Sequence, residues 1–232
     1  MQAHQCDALL VDLRGHGDSP ALEPPHTIQA CADDIRDIVP GLDLANIQRV
    51  VGHSLGGKVA LAYCAQEPAV KQCVVLDSPP GVHVEVGGGD SATRLLSILP
   101  QLAVESKAQI VRDLQHVHGF SPMVANWMTT NLSGTRERPW VFDRATVQAL
   151  FVSYAQLDLF ASLETMPTDE VRFIRAEKNK AWTPDVLARF AALRNPRVKL
   201  VLARGCGHWL HAEKPAYVRA LVDDDDAVAA AT

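Results

Sequence analysis

The chain has no excess of positive charge: 22 Lys and Arg stand against 27 Asp and Glu, a formal net charge of −5. That balance leaves no basic face for nucleic acid. It also lacks any C-x-x-C pair. Its five cysteines (Cys6, Cys31, Cys64, Cys73 and Cys206) are scattered and odd in number. They argue against a disulfide or zinc framework and for free thiols in a reducing compartment. No apolar run approaches the roughly 18 residues that span a bilayer. Residues 1–20 hold neither a charged leader region nor a greasy one. A soluble intracellular protein with no membrane span is expected, cytoplasmic by default. No internal repeat or low-complexity tract is present, and the acidic run Asp223 to Asp226 reads as a solvated tail.

What is present is 232 residues, 47% of them hydrophobic, enough for one sizeable globular domain with an inserted subdomain. Short apolar runs ended by turn residues occur at 7–13 (DALLVDL), 47–53 (IQRVVGH), 72–78 (QCVVLDS), 170–176 (EVRFIRA) and 197–203 (RVKLVLA). Each reads as a buried strand. Helical patterns lie between them. Ile28, Cys31, Ile35 and Ile38 form one stripe, and 56–66 is a small-residue helix. Thr183-Pro184-Asp185 opens a later helix, with Thr as N-cap, Pro in the first turn and Asp at the positive end. Strands alternating with helices predict an α/β fold, a mostly parallel sheet with helices on both faces.

From about Val82 to Asp169 the alternation stops. Helical stretches around 92–104, 106–117, 122–131 and 143–158 predict an inserted helical cap over 82–169, between core segments 1–81 and 170–232. Gly87-Gly88-Gly89 at its entrance lacks the Lys-Ser/Thr of a phosphate loop and reads as a hinge. The cap aromatics Trp127, Trp140, Phe142, Phe151, Tyr154 and Phe160 read as core packing.

The stretch RVVGHSLGGKVAL (49–61) places three glycines around Ser54 where a strand becomes a helix. A residue presented at such a sharp turn has a strained backbone, and its neighbours two before and two after are pressed together. Gly52 and Gly56 are therefore expected because a Cβ at either would clash, and Gly57 because helix and sheet pack closely there. Ser54 then stands at a helix N-terminus, where the N–H of Leu55 is free to stabilise an oxyanion. This G-x-S-x-G pattern is a nucleophile elbow. Lys58, after it, reads as a helix-surface residue, and Arg14 to Ser19 as a structural turn.

A serine needs a base, and the base an orienting carboxylate. Of nine histidines, His208 lies in the loop after the last strand, where the chain order of an elbow enzyme calls for one. Its competitor is His211, read as a surface or cap-facing residue. His53 points away from Ser54 along the strand and reads as a packed histidine. Three carboxylates are open as the third member. Asp77 ends the strand next after the elbow helix, at the same sheet edge as Ser54, or caps the turn before Pro79-Pro80. Glu177 follows another strand, where a surface ion pair explains it equally well. Asp185 is accounted for by its helix start.

Taken in order, VDLRGHGDS, VVGHSLGGKVAL, VVLDSPPG and GCGHWLHAEKP resemble the α/β-hydrolases. They are most similar to a small-esterase branch with a G-H-S-x-G-G-K elbow, a look shared by plant and algal chloroplast-associated hydrolases. The resemblance covers the chain from residue 7. It implies that the acid follows the strand after the elbow, at Asp77, and places Asn179 where other members carry theirs. It also implies three strands and a His-Gly loop before the segment at 7–13. The fold expected is thus an N-terminally truncated α/β-hydrolase with upstream coding sequence, and an organellar address, chloroplast included, stays open.

The reading is a serine esterase or thioesterase acting on a small or medium acyl substrate: Ser54 nucleophile, His208 base, Asp77 orienter, Leu55 N–H oxyanion donor. It calls for no cofactor or metal. The alternative is a catalytically impaired member of the same fold that binds a ligand or partner. Dehalogenase or epoxide hydrolase chemistry would place Asp where Ser54 stands.

Overall fold

The computed structural model describes residues 7–42, 47–83, 92–102, 104–133, 135 and 139–223. Cys6, the Gly87-Gly88-Gly89 hinge and Asp224 to Asp226 lie outside them. Along the chain the elements are α1 (Ile28–Ile38), β1 (Arg49–His53), α2 (Leu55–Cys64), β2 (Gln72–Leu76), α3 (Ala92–Ile98), α4 (Lys107–Arg112), α5 (Pro122–Met128), α6 (Arg144–Gln156), α7 (Phe160–Glu164), β3 (Glu170–Ala176), α8 (Pro184–Ala191), β4 (Val198–Ala203), α9 (Leu210–Glu213) and α10 (Pro215–Asp223). They fall into two compact units, one of residues 25–87 with 149–232 and one of 1–24 with 88–148. Residues 149–169, which carry the end of α6 and α7, thus group with the sheet.

In the sheet unit the strands are all parallel and lie in the order β1-β2-β3-β4. Each strand is short; β2 is buried from Cys73 to Leu76, as an interior parallel strand requires, whereas on β1 Val51 is 50% exposed. Alternation along the strands decides which helix each residue meets. Val74, Leu76, Ile174, Ala176, Val201 and Ala203 form one buried cluster with Leu210 of α9 and Val218 and Leu221 of α10. On the opposite face Val75 approaches α2 at Gly57, and the Phe173 ring meets Phe190 of α8 edge-on at 5.0 Å.

The helices begin where their caps dictate. Thr27 accepts a hydrogen bond from the Ala30 N–H at 3.1 Å to start α1, burying Ile28 and Cys31. Thr183 does the same for α8 from the Val186 N–H, ahead of Pro184 and Asp185. Asp223, read as the start of a solvated tail, instead closes α10 and pairs with Arg49 of β1 at 2.6 Å.

The other unit is helical. α3, α4 and α5 occupy the first three stretches expected to be helical, each shorter than its apolar pattern because it ends in a 3₁₀ or π turn, at 99–101, 113–117 and 129–131. Trp140 is buried and stacks on Phe142 at 5.8 Å, whereas Trp127 is 40% exposed, against the expectation of core packing. The turn at 13–19 closes as expected, with the His16 N–H on Leu13 O and the Ser19 N–H on His16 O, both at 2.9 Å.

Residues 7–13, expected as a strand, form none, and Leu10 is 91% exposed. An apolar run becomes a strand only by pairing its N–H and C=O groups with a neighbour, and no ladder runs through this one. The four cysteines among the described residues, Cys31, Cys64, Cys73 and Cys206, are free thiols and buried.

Candidate active site

The residues singled out from the sequence meet inside the sheet unit, at the carboxyl ends of β1, β2 and β4. β1 stops at His53, Ser54 turns the chain with φ 53° and ψ −119°, and α2 starts at Leu55. That positive φ is a strained conformation for a residue with a side chain. It is held by bonds on both sides: the Ser54 N–H donates to Leu76 O at 3.0 Å, and the Gly57 N–H donates to Ser54 O at 2.9 Å.

The crowding around the elbow is one-sided. A Cβ on Gly52 would run into the backbone of Gly56 and Gly57. A Cβ on Gly57 would stand 2.8 Å from Ser78 Cβ and 2.9 Å from Val75 Cγ1. Gly56, however, faces open space, so the expected clash there does not exist. Its carbonyl is the obstacle that forces glycine at 52.

His208 Nε2 lies 3.1 Å from Ser54 Oγ, and His208 Nδ1 lies 2.8 Å from Asp77 Oδ2. Asp77 is fully buried, with φ 50°. Its Oδ1 accepts from the Ala176 N–H and the Trp182 Nε1–H, each at 2.8 Å; its Oδ2 also accepts from Asn179 Nδ2 at 2.6 Å. An ionised carboxylate only accepts, so His208 Nδ1 carries the hydrogen, leaving the Nε2 lone pair for the Ser54 hydroxyl. The other two carboxylates sit elsewhere. Glu177 accepts from the Gly205 N–H at 2.7 Å, a main-chain contact rather than a surface ion pair. Asp185 stays in the first turn of α8. Asn179 is a donor to the acid and not its substitute.

His53 is a neighbour of His208. Its Nε2–H donates to His208 O at 2.8 Å, and its ring lies 4.7 Å from that of His208 and 4.5 Å from that of His211. Burial, then the facing His208, lower His53 to about 4, so it is neutral near pH 7. His211, exposed on α9, is lowered in the same direction by desolvation and by His208.

Lys58 overturns its reading as a surface residue: it is fully buried. Its Nζ donates to Gly81 O, Tyr154 O and Leu157 O, each at 2.7 Å, so all three ammonium hydrogens are used. Lying one turn after Ser54, it faces inward with the nucleophile rather than outward. Desolvation lowers it to about 8, opposed by the charge of Asp158. Tyr154 is buried too, and Ser78 Oγ–H donates to its Oη at 3.4 Å. Burial pushes its phenol up to about 12, with the hydrogen bond from Ser78 opposing that rise.

Tyr154, Trp182 and Lys58 are the site's neighbours that sequence reasoning missed. Only Lys58 carried a local signal, its spacing of four from Ser54. Among the described residues no group of three or more His, Cys, Asp or Glu could hold a metal ion, and no helix is long and apolar enough to cross a membrane.

Comparison with known proteins agrees with this architecture. A model described as the alpha/beta hydrolase family matches residues 1–221. The chain is 28% identical over 215 residues to the sn-1-specific diacylglycerol lipase ABHD11 of Mus musculus, spanning 89% of this chain and 67% of that protein. It is 26% identical over 221 residues to the esterase YbfF of Escherichia coli (strain K12), spanning 91% and 79%. Among solved structures, an E-2-(acetamidomethylene)succinate hydrolase superposes with a TM-score of 0.73 at 20% identity, over 91% of this chain and 78% of that one.

Proposed function

We propose that this chain, which belongs to the alpha/beta hydrolase family, is a serine hydrolase that cleaves an ester or thioester of a small or medium acyl substrate through an acyl-enzyme. The observation that carries the reading is the line Ser54 Oγ, His208 Nε2, His208 Nδ1, Asp77 Oδ2, with separations of 3.1 and 2.8 Å. Two relatives whose names contain lipase and esterase support the choice of substrate class.

In this mechanism Ser54 Oγ attacks the acyl carbon while its proton passes to His208 Nε2. The electron pair of the carbonyl moves onto oxygen, which accepts a hydrogen bond from the Leu55 N–H at the positive end of α2. Collapse expels the alkoxide or thiolate, which takes the proton from His208. Water, deprotonated by His208, then cleaves the acyl-Ser54 bond by the same steps. Asp77 does not take a proton. Held by three donors besides His208, it keeps the imidazole in its working tautomer and offsets the imidazolium charge. No cofactor enters the scheme. The helical segment between β2 and β3 is proposed as the cap that selects the acyl chain.

The test is a rapid-mixing assay with p-nitrophenyl butyrate. An acyl-enzyme gives a burst of nitrophenolate of about one equivalent per chain when deacylation is the slower step. Ser54→Ala should abolish turnover and burst together. Turnover that survives Ser54→Ala would reject the mechanism.

A further inference from the structure

The strand order sets the base far from the nucleophile. His208 follows β4, which lies three strand positions from β1, where Ser54 turns the chain; at the usual strand spacing that is about 14 Å. The loop between β4 and α9 must therefore reach back across the ends of β3 and β2. Its residues before His208 are tied to other elements. The Gly205 N–H donates to Glu177 at 2.7 Å, the Lys178 N–H to Cys206 O at 3.0 Å, and the Gly207 N–H to Glu213 at 2.8 Å. Glu177 and Lys178 follow β3, and Glu213 ends α9. None of these three bonds reaches β1 or β2.

Two contacts carry His208 the rest of the way. One is made by its ring, Nδ1 to Asp77 just past β2. The other is made by its main chain: His208 O accepts from His53 Nε2 at 2.8 Å, and His53 is the last residue of β1 and the neighbour of Ser54 in the chain. A carbonyl oxygen only accepts, so the hydrogen of His53 sits on Nε2. The two imidazole rings lie 4.7 Å apart, tilted by 38°. His53 also meets the rings of Trp209 at 5.6 Å and His211 at 4.5 Å, so it is packed by the residues that follow the base. Lowered to about 4, it puts no charge near pH 7 beside the imidazolium that forms on His208.

We propose that His53 is a positioning residue, whose Nε2–H ties the main chain of His208 to the strand end that presents Ser54 and so sets the distance between base and nucleophile. The proposal rests on the ester-cleaving reading above. A ring held by Asp77 alone can pivot about that one hydrogen bond. With its main chain held as well, Nε2 stays aimed at Ser54 Oγ. No bond is made or broken at His53 during turnover, and it touches no reacting atom. A catalytic group misplaced by about 1 Å can cost about 100-fold in rate, and that is the scale of loss expected when the tie is cut.

The experiment compares wild type, His53→Gln and His53→Met on p-nitrophenyl butyrate, with kcat expressed per site titrated by a fluorophosphonate. A glutamine amide nitrogen can stand where His53 Nε2 stands and donate, whereas methionine has the same length and no donor. His53→Met should lower kcat by about 100-fold with KM within about threefold. His53→Gln should restore kcat to within about fivefold of wild type. Nitrogen-15 NMR of the wild type should show the hydrogen of His53 on Nε2 at neutral pH. His53→Met with kcat within about threefold of wild type would overturn the proposal. So would His53→Gln turning over no faster than His53→Met, the mark of a merely structural histidine. If His53→Met does not fold, the other two measurements decide: a kcat of His53→Gln lowered by about 100-fold, or a hydrogen on His53 Nδ1, would overturn the proposal. A wild type that neither turns over nor takes the label would instead overturn the ester-cleaving reading, and the proposal with it.

Discussion

Asp77 is the residue on which the geometry concentrates. Four donors converge on its two oxygens: the Ala176 N–H, Trp182 Nε1–H, Asn179 Nδ2–H and His208 Nδ1–H. An amide has one acceptor oxygen and one NH₂ group, so Asp77→Asn must turn a donor toward donors. Two losses are expected. Turnover falls by about ten-thousand-fold as the imidazole loses its tautomer and its counter-charge, and stability falls by about 1–3 kcal/mol from an unpaired buried donor. Glu177→Gln keeps an oxygen for the Gly205 N–H and should leave kcat within about twofold. Steady-state assays and urea unfolding of both variants check the pair, and equal losses would remove Asp77 from its role. The residues alone offered Asp77 as one of three carboxylates, and the resemblance to the α/β-hydrolases selected it. What settles its surroundings is Trp182, whose indole arrives from 105 residues away, a separation at which no local pattern speaks.

At the scale of elements, the strand-turn-helix from β1 to α2 does most of the positioning. Its glycines differ in what they do, and substitution should separate them. Gly52→Ala drives a methyl into the Gly56 backbone, which cannot retreat without dragging α2 from the sheet; a loss of at least about 3 kcal/mol is expected. Gly56→Ala adds a methyl in open space on a helix, where alanine is favoured over glycine by up to about 1 kcal/mol. Equilibrium unfolding in urea reads both, and a Gly56→Ala loss matching that of Gly52→Ala would contradict this account of the elbow. Strands β1 to β4, helices α1, α2 and α8, and the Thr183-Pro184 start of α8 were legible because apolar period, N-cap and Pro position are local signals. The run at 7–13 misled because its composition suits a strand while pairing depends on a neighbour. Lys58 misled for the opposite reason: a lysine is ordinarily solvated, and only three carbonyls brought in by residues 81, 154 and 157 make its burial tolerable.

For the whole molecule, the sheet brings together residues from three distant parts of the chain. Ser54 leaves β1, Asp77 leaves β2 and His208 follows β4, all at the carboxyl ends of parallel strands, where open α/β sheets expose their loops. The serine and histidine could be named from motif and chain order. Tyr154 could not, because a tyrosine on a helix after β2 carries no mark of where its hydroxyl points. The central claim is that this assembly makes Ser54, alone among the chain's serines, a nucleophile. The direct measurement is to treat the folded protein with a fluorophosphonate, digest it, and locate the adduct by mass spectrometry. The account predicts one adduct per chain, on the peptide carrying Ser54, and its loss in His208→Ala. An adduct on another residue, or labelling of Ser54 that His208→Ala leaves at the wild-type rate, would contradict it.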